Sequence, residues 1–184
     1  FGLGWFYHIQ GKLPQAEESF KKAIESNPKN DDAYVRLGWF YQIQGKLPQA
    51  EDLFKKAIEL NPKNDNAYFG LGWLYQDQGK FPQAEESYKK AIDLNPKNGN
   101  AYVRLGWLYQ IQGKFPQAED SFKKAIELNP KNYRAYGAIS VLYAEIGKPE
   151  LAKEYTEKAN RLRLWYYNLL TVNNYRKLKQ ILDK

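Results

Sequence analysis

The chain has 184 residues, with 28 Lys/Arg against 21 Asp/Glu and a formal net charge of +7. Cysteine is absent and His8 is the single histidine, which excludes a disulfide framework, thiolate or His-based metal sites and His-based catalytic triads. No run of about 18 apolar residues is present, which excludes a membrane-spanning helix.

Residues 1–30 open the chain inside a pattern, LGWFYHIQGKLPQAE at 3–17, that returns three times. It reads LGWFYQIQGKLPQAE at 37–51, LGWLYQDQGKFPQAE at 71–85 and LGWLYQIQGKFPQAE at 105–119. The period is 34 residues, and residues 31–64 match residues 99–132 at 29 of 34 positions. Residues 1–30 are a unit without its first four positions, and 31–64, 65–98 and 99–132 are complete.

In the unit at 31–64, Tyr34, Leu37, Gly38 and Tyr41 recur at i, i+3, i+4 and i+7, one face of an α-helix. Gly45 ends that helix, since glycine adopts positive φ without strain. Pro48 suits the first turn of a second helix, whose buried side is Ala50, Phe54, Ala57, Ile58 and Leu60. Pro62 stops this helix, and Asn64 or Asp65 is placed to cap the next. Residues 133–164 form a fifth, divergent unit, with Ser140 for the small glycine and Leu164 for the terminal proline, so its last helix is free to run on. In the tail 165–184, Asn173 or Asn174 is placed to cap a helix with an apolar face of Tyr175, Leu178, Ile181 and Leu182. That helix either covers the last repeat or begins a further domain.

Tyr34-x2-Leu37-Gly38-x2-Tyr41, then Ala50-x3-Phe54, then Pro62, resembles the tetratricopeptide repeat (TPR) signature at the right period. Tyr34 stands where that family usually has a tryptophan. The resemblance implies an all-α fold, a right-handed TPR superhelix of about five helix-turn-helix repeats over 1–164, with a C-terminal capping helix or the start of a further domain at 165–184. Helix pairs of this kind cannot bury their apolar faces alone, so they stack into a solenoid. The resemblance also implies a concave surface lined mainly by the first helix of each repeat.

Each copy holds one tryptophan, Trp5, Trp39, Trp73 or Trp107, one residue past the glycine of the core face and so about 100° around the helix from it. On that second stripe lie Val35, Arg36, Trp39 and Gln42, then Asn66, Phe69, Trp73 and Gln76, then Asn100, Val103, Arg104, Trp107 and Gln110. Two compatible readings stand. The tryptophans pack between adjacent first helices and set the curvature, or they form a partly open aromatic ladder for a ligand, tryptophan being favoured at binding hot spots. The Lys/Asn/Arg clamp by which some TPR proteins hold a peptide carboxylate is not matched, because tryptophan occupies its key asparagine position. His8 sits where the next three copies have glutamine and reads as a drifted Gln.

Residues 1–132 hold 18 Lys/Arg and 16 Asp/Glu, and the lysine pairs follow acids by four residues, which favours a solvated helix face over nucleic-acid binding. The leading expectation is a non-catalytic scaffold that binds a peptide or protein segment in a Trp-lined groove, without cofactor or metal. A structural or self-assembly module, and an accessory arm of a larger enzyme-containing chain, are the alternatives. Starting at Phe1 within a repeat and lacking methionine, the chain reads as a piece of something longer, with an open end prone to end-to-end self-association. Without cysteine or a signal-peptide pattern, the cytoplasm is the default compartment.

Overall fold

A computed structural model of the chain describes the backbone of residues 11–182 and the side chains of residues 11–165. The described residues form helices joined by short turns and loops, without a strand: α1 Leu13–Ser26, α2 Asp31–Ile43, α3 Leu47–Leu60, α4 Asp65–Asp77, α5 Phe81–Leu94, α6 Gly99–Ile111, α7 Phe115–Leu128, α8 Tyr133–Glu145 and α9 Pro149–Leu182. The order is the all-α series of helix pairs that the resemblance implies, with even-numbered helices as the first and odd-numbered helices as the second members of each pair. The chain divides into two compact units, residues 1–104 and 105–184.

Local chemistry explains the helix ends. Gly45 has φ +73°, its N–H donates to the Gln42 carbonyl at 3.0 Å, and the Lys46 N–H donates to the Tyr41 carbonyl at 2.9 Å. These two bonds form a Schellman motif, which closes α2 and needs a left-handed residue at the glycine. Pro48 lies in the first two positions of α3, as the spacing predicts. Asn64 caps α4, its side chain accepting from the Ala67 N–H at 3.0 Å. Asp65 instead accepts from the side chains of Asn95 and Asn98, at 3.0 and 3.1 Å. Asp31 does the same for Asn61 and Asn64, at 2.8 and 2.7 Å. The Asn-Pro-Lys-Asn loops of these two repeats are thereby tied to the first helix of their own repeat.

In the first unit, α1 packs on α2, α2 on α3 and α4, α3 on α4, and α4 on α5. Its core contains Ala16, Phe20, Phe40, Phe54, Ala57 and Leu74, all fully buried. In the second unit, α7 packs on α8 and α8 on α9. Ala118, Phe122, Ala135, Ile139 and Leu142 form its centre. A link repeats within each unit: the Tyr41 hydroxyl donates to Glu17, Tyr75 to Glu51 and Tyr143 to Glu119, at 2.8, 3.2 and 2.9 Å. Each bond joins the second helix of one repeat to the first helix of the next.

The last helix runs on beyond the point where earlier repeats break. Where the others read Asn-Pro-Lys-Asn, the fifth reads Arg163-Leu164-Trp165-Tyr166, so no proline interrupts the hydrogen-bond ladder. The helix start expected at Asn173 or Asn174 is not seen, because α9 is continuous through both residues.

Candidate functional site

Trp39, Trp73 and Trp107 are half-buried, neither in the core nor in the open. Trp39 meets the buried ring of Phe54 edge-on at 5.3 Å, and Trp107 meets Phe122 in the same way at 5.6 Å. The 100° offset along the helix therefore does not take these side chains out of contact with the core. A tryptophan is wide enough to lean one edge on the second helix while its other edge points away.

In the first unit the rings join into a cluster. Trp39 stands 5.2 Å from Trp73 and 5.7 Å from Phe69, between ring centroids, in edge-on and tilted arrangements. Such geometries let the positive edge of one ring meet the negative face of another. The Arg104 guanidinium lies over the Trp73 ring, 3.5 Å from its centroid. Arg36 pairs with Asp32 at 2.8 Å, one turn back on α2. The Gln42 amide donates to Asp77 at 3.0 Å, and the Gln76 carbonyl accepts from the buried Tyr88 hydroxyl at 2.8 Å. Burial pushes the Tyr88 hydroxyl pKa well above the usual tyrosine range, so it stays a donor.

Other residues on the expected stripe are placed differently. Val35 is 3% exposed, Val103 9% and Gln110 8%, so these three are packing residues and not part of an accessible groove. Gln110 is bonded to Glu145. Gly70 is also buried, and a Cβ there would stand 2.4 Å from the Phe54 ring. Phe69, Arg36, Gln42, Gln76 and Arg104 are half-buried, whereas Asn66 and Asn100 are exposed. Trp5 and His8 lie outside the described residues. Ile43, one turn beyond Trp39 on the same stripe, is 59% exposed. The sequence reading missed the stacking of Arg104, which no spacing rule within one helix could reveal.

Among the described residues, no group of three His, Cys, Asp or Glu side chains could hold a metal ion. No described helix is long and apolar enough to cross a membrane.

The tetratricopeptide repeat model matches residues 31–64, 66–98 and 99–132, and related tetratricopeptide models match 1–30 and 121–154. No curated protein matches the chain. Among solved structures, that of MamA is 26% identical, covers 90% of this chain and 97% of its own, and has a TM-score of 0.72. TTC0263, a thermophilic TPR protein of Thermus thermophilus, is 24% identical over 92% of this chain and 96% of its own, with a TM-score of 0.75. Pseudomonas aeruginosa pilF is 21% identical over 98% and 89%, with a TM-score of 0.77. The last two show likeness of fold alone. With repeat matches over more than half of its length, the chain belongs to the tetratricopeptide repeat family, whose members serve as protein-interaction scaffolds and are generally non-catalytic.

Proposed function

We propose that this chain is a non-catalytic scaffold that holds an extended segment of another protein against the aromatic cluster of its first helices. The observation that carries this reading is the half-buried group Trp39, Phe69 and Trp73, continuous over two repeats and braced from below by Phe54. A braced aromatic loses little side-chain freedom on binding, and desolvating its remaining face favours association. Ile43 adds apolar surface, and exposed Asn66 can hydrogen-bond a peptide backbone. Arg36 and Arg104 are already engaged, with Asp32 and on Trp73, and so serve as a polar rim.

Panning a random peptide library on the chain tests the proposal. Enriched peptides are expected to lose at least about tenfold in affinity to the Trp39→Gln/Trp73→Gln variant. Peptides that bind this variant as tightly as the parent chain, while its helicity is intact, would refute the reading.

A further inference from the structure

Beyond Ser140 and its missing terminal proline, the fifth repeat departs from the others in a further set of positions. Where complete repeats place Trp39 against Phe54, or Trp107 against Phe122, it has Val141 and Thr156. Val35 and Val103 become Gly137, and Ile126 becomes Asn160. Four apolar side chains are thus replaced by smaller ones. The result is a notch of about 320 Å³ between α8 and α9, lined by Arg134, Gly137, Val141, Thr156, Asn160 and Arg163 among others. A Cβ on Gly137 would meet nothing within 4 Å, in keeping with that space.

The notch is built for negative charge. Arg134 and Arg163 enter it from different helices, both exposed, and among the described residues neither is paired with a carboxylate. The notch lining contains no acid. Its serine and threonine hydroxyls are used by the fold: Ser140 donates to the Ala152 carbonyl at 2.8 Å and lies 2.6 Å from the Thr156 hydroxyl. The donors a ligand can use include the two guanidinium groups and the Asn160 amide. An outer repeat needs polar groups for solubility. Solubility alone does not require two arginines converging on a hollow.

We infer that this notch is a binding site for a carboxylate side chain, Glu or Asp, of an acidic protein segment. Guanidinium forks bind carboxylates with paired, directional hydrogen bonds. Val141, 50% exposed, and Ala159 supply an apolar wall that suits the methylenes of a glutamate side chain better than a hydrated inorganic anion. The notch shares no residue with the aromatic cluster, and the inference does not depend on that reading.

Isothermal titration of the whole chain with hexaglutamate, against hexaglutamine, tests the inference. Hexaglutamate is expected to bind and hexaglutamine not to. Arg134→Gln/Arg163→Gln should weaken binding at least about tenfold. Gly137→Val fills the notch with the residue of the equivalent positions, keeps both arginines, and should weaken binding to the same degree with an unchanged melt. Lys153→Gln removes an exposed charge outside the notch and should leave affinity within about twofold. The inference is overturned if hexaglutamate does not bind, or if Gly137→Val binds it as tightly as the parent chain. It is equally overturned if Lys153→Gln weakens binding as much as the arginine pair does, since that marks diffuse attraction to the net charge. Binding of inorganic phosphate in place of hexaglutamate would assign the notch to a different anion and also refute it.

Discussion

At the scale of single residues, the tryptophans show how far a periodic argument reaches. Core membership by stripe places Leu37, Gly38, Phe54 and Ala57 correctly, because aliphatic and small side chains point where their Cα–Cβ bonds aim. It misplaces Val35, Val103 and Gln110, whose burial depends on neighbouring helices that no single stripe describes. It also misses Phe40, fully buried beside Phe20 at 5.5 Å. Trp39 lies between the two classes. A fully buried aromatic truncated to alanine costs about 3–5 kcal/mol, so half-buried Trp39→Ala should cost about 2 kcal/mol, less than Phe54→Ala. Chemical denaturation of the two variants checks that order. Gly70 gives a second expectation. Adding a methyl 2.4 Å from the Phe54 ring overpacks a buried site, so Gly70→Ala should destabilise by about 1–3 kcal/mol despite its better helix propensity. A stabilised variant would show that the ring can shift without strain.

At the scale of elements, helix ends and loops were legible because they are written in local chemistry. Glycine at the turns, proline in the first turn and asparagine at the cap each act within a few residues. The link between repeats was not, since Glu17 and Tyr41 lie 24 positions apart and only packing brings them together. Glu17 accepts from Lys21 at 2.7 Å, then from Tyr41 and Lys46, and these bonds hold its carboxyl at about 2 against the opposing effect of burial. Glu51 and Glu119 are lowered for the same first reason, by Lys55 and Lys123. A carboxyl with a depressed folded pKa adds stability above its unfolded value, about 4.3, and loses it as pH falls toward the folded value. The melting temperature should therefore drop between about pH 4.3 and about pH 2. Glu17→Gln should flatten that drop, and parallel curves for variant and parent would contradict the link's role. In the same way Asp31→Ala leaves Asn61 and Asn64 without their shared acceptor, and should cost about 1–2 kcal/mol by thermal melt.

At the scale of the whole molecule, the repeat period is what made the fold readable, since one unit explained once serves for its copies. Function was less readable, because identical copies repeat a packing residue as faithfully as a binding one. Trp39→Gln/Trp73→Gln should keep most of the helical signal at room temperature, as neither ring is at the centre of the core and Phe54 remains. A collapse of helicity would show the two rings to be scaffold. The central claim is that partners bind at the aromatic cluster of the first helices. Hydroxyl-radical footprinting of the chain with and without a library-selected peptide measures this directly. Protection is expected at Trp39, Phe69 and Trp73, with the exposed Leu13 on α1 and Trp165 on α9 unchanged. Protection confined to second helices, with the tryptophans oxidised as fast as in the free chain, would contradict the account.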